Sequence, residues 1–125
     1  MTDALRVGEV LRLGESLQGG AYTLTLRDHG NLELTEPDGS AVWSTETWDR
    51  GVRVAVLQDD GNFVLYDGDD TAVWATDTNG RDGERLVVQA DRNVVLYAKD
   101  GSPLWASGTN TDHPLEAPST RAGHA

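Results

Sequence analysis

Two stretches of the sequence carry the same five polar and apolar side chains, each two residues apart. The first row is Gln58, Asp60, Asn62, Val64 and Tyr66, and the second is Gln89, Asp91, Asn93, Val95 and Tyr97. On a strand pair, this spacing places all five side chains of a row on one face. Ionised aspartate only accepts hydrogen bonds, whereas the amides and the phenol both donate and accept. Each row is therefore complementary to the vicinal hydroxyls of a sugar, with the valine offered to its C–H face.

A solvated polar strand face is the simpler interpretation of one such row. Two rows that are identical in type and spacing, on copies that have otherwise diverged, favour binding instead. Surface positions that serve only solubility should have drifted, as the rest of the surface has.

A third stretch has the corresponding positions but different residues. They are Arg27, His29, Asn31, Glu33 and Thr35. Only the asparagine is shared, and a charged residue replaces the valine that should touch the ligand. We predict a degenerate third site that does not bind the ligand of the other two. An anionic ligand held by Arg27 and His29 is the alternative.

The three stretches belong to an internal repeat. Tryptophan and asparagine recur at intervals of 31 residues, at Trp43, Trp74 and Trp105 and at Asn31, Asn62 and Asn93. A period of this length indicates a repeat architecture. Residues 24–47, 55–78 and 86–109 are the equivalent copies. One tryptophan at a fixed place in each copy predicts three core side chains that meet near a pseudo-threefold axis.

Each copy is predicted to form antiparallel strands. Residues 55–66 alternate with period two, and Asp60-Gly61 is a hairpin turn signal. Gly30 takes the turn position in copy one and Arg92 in copy three, so the third turn should be different or strained. Residues 5–22 look like strand material, and Trp48, out of register, is expected to be exposed or at an interface. The fold class is all-β, with three similar sheets.

Composition excludes several classes of partner. The net charge of −11 disfavours nucleic acid and anionic membranes. The chain has no cysteine, which excludes disulfides and thiolate metal sites. No apolar run is long enough to span a membrane, and no signal-peptide pattern follows Met1. We therefore expect a cytoplasmic protein, or one exported or displayed at the cell surface by a non-classical route.

The rows resemble a known family. The sequence is similar to the monocot mannose-binding, or bulb-type, lectins in four features. These are the motif Gln-x-Asp-x-Asn-x-Val-x-Tyr, the 31-residue interval, the Val/Leu-Trp pair at the end of each copy, and Gly-x-Tyr-x-Leu at Gly20 to Leu24. The resemblance covers roughly residues 5–110. It implies a β-prism II fold, with three four-stranded antiparallel sheets around a pseudo-threefold axis. It also implies non-catalytic, metal-independent binding of α-mannose and mannose-rich glycans, with no cofactor.

The resemblance also implies a role for each residue of the row. Asp60 and Asn62 would bind the axial 2-hydroxyl of mannose, Gln58 the 3-hydroxyl and Tyr66 the 4-hydroxyl, with Val64 on the ring carbons. The second row would repeat these roles. A homodimer is implied too, formed by exchange of C-terminal strands within residues 104–113. Plant members carry a disulfide, so its absence suggests a bacterial member.

Residues 1–113 are predicted to form the lectin domain, and residues 114–125 a flexible C-terminal tail or linker. Paired carboxylates could indicate a glycosidase, but the two motif aspartates lie in separate repeats. Acidic loops at 67–70 and 77–84 could indicate a calcium module, but neither has the EF-hand spacing. The alternative function is a protein-binding or bacteriocin-like β-prism module, and the two intact rows argue against it.

Overall fold

A computed structural model describes residues 2–117 of the 125-residue chain. This part contains twelve strands. They are β1 (Ala4–Arg6), β2 (Val10–Arg12), β3 (Ser16–Gly19), β4 (Tyr22–Leu26), β5 (Leu32–Thr35), β6 (Ala41–Ser44), β7 (Val52–Leu57), β8 (Phe63–Asp67), β9 (Ala72–Ala75), β10 (Gly83–Val88), β11 (Val94–Ala98) and β12 (Pro103–Ala106). Over the same residues, no helix has the length and apolar character needed to cross a membrane.

The strands form three four-stranded antiparallel sheets, as the sequence predicted. Sheet one has the order β3-β4-β5-β6, sheet two β2-β7-β8-β9 and sheet three β1-β10-β11-β12. Each sheet contains the three strands of one repeat. The fourth strand of each comes from the N-terminal segment, which passes along all three sheets in turn. The prediction of strand material before the first copy is therefore confirmed.

The core is built from the inward positions of the alternating strands. Leu57, Phe63 and Leu65 are at most 1% exposed, and they illustrate a pattern that recurs in every sheet. The three repeat tryptophans pack edge to face, with ring centroids 5.6 to 6.0 Å apart. They lie against the core cluster, as expected for side chains that join three sheets at a common axis. Trp48 is 48% exposed, so its predicted exposure is confirmed.

The first turn of each repeat uses a left-handed backbone. Gly30 and Gly61 have φ of 91° and 84°, and Arg92 has φ of 79°. The turn in repeat three thus keeps the same left-handed geometry and does not adopt a different one. The expected strain is present, because a residue with a Cβ is disfavoured in this region. The Arg92 side chain offsets it by donating to the Thr109 carbonyl at 2.9 Å and to Glu36 at 3.2 Å.

The second turn of each repeat lies around an aspartate. In repeat one, the Ser40 side chain and backbone donate to Asp38 and lower the pKa of its carboxyl group. In repeat three, Ser102 does the same for Asp100. Both carboxyl groups are exposed and lie in the loops between the second and third strands of their repeats.

The segment after β12 contacts the body of the fold. The backbone N–H of Leu115 donates to the hydroxyl of Tyr22 at 2.8 Å. Most of the tail or linker expected at 114–125 cannot be compared, because residues 118–125 lie outside the described part of the chain.

Candidate functional site

The two intact rows lie on different sheets, each at the first hairpin of its repeat. We call them the repeat-two cup (Gln58, Asp60, Asn62, Val64 and Tyr66) and the repeat-three cup (Gln89, Asp91, Asn93, Val95 and Tyr97). In each cup the first three residues belong to the connection between strands, and only the last two lie on β8 or β11. Turn geometry therefore positions the aspartate and the asparagine, while the sheet positions the valine and the tyrosine.

The two ends of each row meet through a hydrogen bond between glutamine and tyrosine. In the repeat-two cup, the Tyr66 hydroxyl donates to Gln58 Oε1 at 2.6 Å. In the repeat-three cup, Gln89 Nε2 donates to the Tyr97 hydroxyl. A phenol both donates and accepts, so the pair is satisfied in either sense.

The asparagine is held by its carbonyl oxygen. Asn62 Oδ1 accepts from the backbone N–H of Thr78 and from the Thr76 hydroxyl, both at 3.2 Å. Asn93 Oδ1 accepts in the same way from Thr109 N–H at 3.3 Å and from the Ser107 hydroxyl at 3.0 Å. A backbone N–H requires an oxygen opposite it, so these bonds fix the orientation of each amide. Within residues 2–117 the amide nitrogen has no hydrogen-bond acceptor, so it remains available as a donor.

The aspartate is fixed beside it. Asp60 Oδ1 accepts from the backbone N–H of Asn62 at 2.9 Å, and Asp91 Oδ1 from that of Asn93 at 2.9 Å. Within residues 2–117 the second carboxylate oxygen of each aspartate has no hydrogen-bond donor. Each cup thus presents a free acceptor next to a free donor, which suits one hydroxyl that donates to the first and accepts from the second.

The valines lie at the floor of the cups. Val64 is 3% exposed and Val95 is 4% exposed. The sequence suggested a valine offered to the C–H face of a sugar, and the structure leaves only a small part of each side chain accessible. Hydrogen bonds, and not a broad apolar surface, must therefore dominate recognition in these cups.

Known structures share this fold over nearly the whole chain. A monocot mannose-binding lectin from Gastrodia elata, described as monomeric, has a TM-score of 0.81 and 39% identity, over 88% of this chain and 100% of that chain. The chain belongs to the monocot mannose-binding lectin family. The mannose-specific snowdrop (Galanthus nivalis) agglutinin, solved with methyl-α-D-mannoside, has a TM-score of 0.71 and 35% identity, over 87% of this chain and 98% of that one. A lectin from Marasmius oreades has a TM-score of 0.80 and 36% identity, over 87% of this chain and 92% of that chain.

These likenesses confirm the predicted β-prism II fold and support carbohydrate binding. The neighbours are lectins, which bind carbohydrate without catalysis. No protein-family model and no curated protein matches the chain. The predicted bacterial origin is not tested by these likenesses and stays a prediction.

In this lectin, the row residues of repeat one form contacts with one another. Glu33, which replaces the valine, lies 3.2 Å from Arg27 Nη1 and accepts from Asn31 Nδ2 at 3.0 Å. His29 Nε2 lies 3.8 Å from the same carboxylate. The amide donor that is free in the other two repeats is used internally here, and Thr35 has no phenol to pair with Arg27. The degenerate third site stays a prediction, and these contacts give a physical reason for it.

Sequence reasoning missed the hydroxyl residues that hold each asparagine. They follow the repeat tryptophan at fixed spacing and are Thr45 and Thr47, Thr76 and Thr78, and Ser107 and Thr109. In repeat two, Thr76 also accepts from Phe63 N–H at 3.2 Å, and the Thr78 hydroxyl donates to the Gly61 carbonyl at 2.7 Å. The 31-residue interval that located the asparagines would have located these residues too.

We expect Thr76→Val to destabilise the lectin and weaken the repeat-two cup. The change leaves the buried N–H of Phe63 without an acceptor and removes a donor to Asn62, at a cost of about 1–3 kcal/mol. Urea denaturation measures the loss of stability, and titration with methyl α-mannoside measures the cup. The matched control is Thr76→Ser, because repeat three uses Ser107 at this position. Equal behaviour of the two variants would contradict the proposed role of the hydroxyl.

The two cups are separate sites. Their aspartates lie on different sheets and are not paired across one cleft, unlike the two carboxylates of a glycosidase. Among the residues that the structure describes, no group of three or more histidine, aspartate or glutamate side chains is arranged to hold a metal ion.

Proposed function

We propose that this chain binds α-mannose and mannose-rich glycans through the repeat-two and repeat-three cups, without a metal ion and without catalysis. The observation that carries the proposal is the free acceptor of Asp60 beside the free donor of Asn62, repeated at Asp91 and Asn93. Both groups are fixed by backbone hydrogen bonds before any ligand arrives, so little ordering is required on binding.

An axial hydroxyl fits this pair better than an equatorial one. It stands out of the plane of the sugar ring, so it can enter between Asp60 and Asn62 while the ring stays outside the turn. Mannose has an axial 2-hydroxyl, and glucose has the same hydroxyl equatorial. The Gln58–Tyr66 pair then receives the 3- and 4-hydroxyls at the other end of the cup. Selectivity for mannose follows from the orientation of one hydroxyl.

A single cup should bind weakly, and several cups together should bind well. Water competes for each hydroxyl, so a monosaccharide is expected to bind with a Kd of ~1 mM, or about −4 kcal/mol. Two cups on one rigid body increase avidity for a clustered glycan by a factor on the order of 10²–10⁴. We further propose a homodimer, which doubles the valence. β12 pairs with β11 of its own chain here, so strand exchange would replace this pairing with the same one between chains.

Calorimetric titration tests the proposal. We expect two equivalents of methyl α-mannoside per chain, a Kd of ~1 mM and methyl α-glucoside at least about tenfold weaker, since the site's polar groups would be left unpaired. Arg27→Ala serves as a control outside the cups and should not change the stoichiometry. Equal binding of both sugars would overturn the proposal, and a third equivalent that disappears in the Arg27 variant would show that repeat one is active.

A further inference from the structure

The outer face of sheet three carries two arginines beside the repeat-three cup. Arg6 on β1 is the register partner of Arg85 on β10, and Arg85 is the register partner of Tyr97 on β11. The three side chains therefore lie in one row across three strands. The neighbouring row, Leu5, Leu86 and Leu96, is buried, so the arginine row faces solvent.

Arg85 is joined to the cup. Its Cζ atom lies 4.9 Å from the centroid of the Tyr97 ring, and Tyr97 is hydrogen-bonded to Gln89 of the same cup. Its weak acidic partner is Glu84, at 3.5 Å and 41% exposed. Within residues 2–117, the Arg6 guanidinium forms no ion pair, although the Glu9 carboxylate accepts from the Arg6 backbone N–H at 2.7 Å. One guanidinium of the pair is thus without an ion-pair partner in this part of the chain, and the other has only a weak one.

This arrangement is unusual for the chain. Like charges directly opposite each other on neighbouring strands are unfavourable. The chain has 21 acidic side chains against 10 of lysine and arginine, so most surface charge is negative. The two opposed arginines beside the cup are a local exception to this negative surface charge. They lie on the outer face of the sheet, so they do not pack in the buried core. Ligand binding would explain both why the two arginines are opposed and why they lie beside the cup.

The repeat-two cup provides the comparison. Its equivalent row is Arg12, Val54 and Tyr66, which are register partners across β2, β7 and β8. Val54 replaces Arg85, and among residues 2–117 no cation lies over the Tyr66 ring. The two cups share their five row residues and differ in the charge at the tyrosine end. Their ligand preferences should differ in the same respect.

We propose that the repeat-three cup prefers mannosides that carry an anionic group, a phosphate ester or a uronic-acid carboxylate, at the Tyr97 end. The inference rests on the proposed mannose binding of this cup. Asp91 lies in the connection before β11, so it occupies the other end of the row and leaves the Tyr97 end to the anion. Guanidinium groups match the geometry of phosphate and carboxylate oxygens, and Arg85 lies against the Tyr97 ring with Arg6 next to it in the same row.

Single-cup variants test this inference. Asp60→Asn leaves the repeat-three cup as the working site, and Asp91→Asn leaves the repeat-two cup. The probes are methyl α-mannoside, its 6-phosphate, an α-mannosyl glucuronic acid disaccharide and inorganic phosphate. At low ionic strength, we expect at least one anionic mannoside to bind the Asp60→Asn protein about fivefold more tightly than the neutral one, as for one unit-charge interaction in water. The Asp91→Asn protein should show a ratio near one.

Two further substitutions should change the ratio of anionic to neutral mannoside binding. Arg85→Gln keeps a planar group over the Tyr97 ring and removes the charge, so the ratio of anionic to neutral binding should fall towards one. Val54→Arg in the Asp91→Asn protein recreates the row beside Arg12 and should raise the ratio. The stronger of the phosphate and glucuronate probes identifies the anion.

The outcomes separate this inference from the proposed function. Equal binding of neutral and anionic mannosides by the Asp60→Asn protein overturns the preference alone, as does a ratio that Arg85→Gln leaves unchanged. Inorganic phosphate bound as tightly as the phosphorylated mannoside overturns it too, because the anion would then need no sugar. Absence of binding of every mannoside by the unmodified chain overturns both.

Discussion

Replacing Asp60 and Asp91 together by asparagine is expected to abolish binding to a mannan surface. Each substitution exchanges a free anionic acceptor for an amide and removes a charge-assisted hydrogen bond worth about 1.5–3 kcal/mol. With both cups weakened, the gain from multivalency is lost as well, so the combined effect should exceed about 100-fold. Biosensor binding to immobilised mannan measures it.

One control variant removes the same number of charges, and the single-cup variants leave one cup intact. Asp59→Asn combined with Asp112→Asn removes the same two charges from exposed positions outside the rows and should leave binding intact. Either single cup variant should retain one equivalent of methyl α-mannoside per chain. A double cup variant that still binds mannan like the unmodified chain would show that the cups are assigned to the wrong residues.

The sequence predicted what depends on periodicity. Alternation in residues 55–66 predicted strands, whose inward residues Leu57, Phe63 and Leu65 are buried, and the 31-residue interval placed Trp43 with Trp74 and Trp105. Both patterns reflect local geometry, which is the same wherever the strand lies in the fold. The rows of the two cups followed from the same reasoning.

What the sequence could not supply depends on which strands become neighbours. The opposition of Arg6 and Arg85 exists only because the N-terminal segment divides among three sheets. The contacts of Glu33 required knowing that Arg27 and Asn31 face the same carboxylate. Arg92 was expected to make its turn different or strained, and contacts with Glu36 and Thr109 support the same left-handed geometry. Each of these is a tertiary effect that overrides a local preference.

The asparagine repeated in all three copies is not by itself a mark of binding. In repeat one, Asn31 Oδ1 still accepts from Thr47 N–H at 3.1 Å, as its counterparts do in the cups. Asn31 is 2% exposed, and its amide donates to Glu33. The residue therefore ties the hairpin turn to the segment after β6 whether or not a ligand binds. We propose that binding requires the aspartate and the valine as well, which leave its amide free.

The contact between β3 of sheet one and β10 of sheet three should be the place where a small substitution lowers stability most. A Cβ on Gly19 would lie 1.8 Å from the carbonyl oxygen of Val88, so the backbone of β3 or β10 must move. We expect Gly19→Ala to lower the free energy of unfolding by about 3 kcal/mol, as overpacking against rigid backbone does. Gly68→Ala is the matched control, because its Cβ would meet only the Arg53 side chain at 3.7 Å. Guanidinium denaturation compares them, and equal midpoints would show that the two sheets separate easily. A larger loss of mannoside binding in the repeat-three cup than in the repeat-two cup is also expected, because Val88 immediately precedes Gln89.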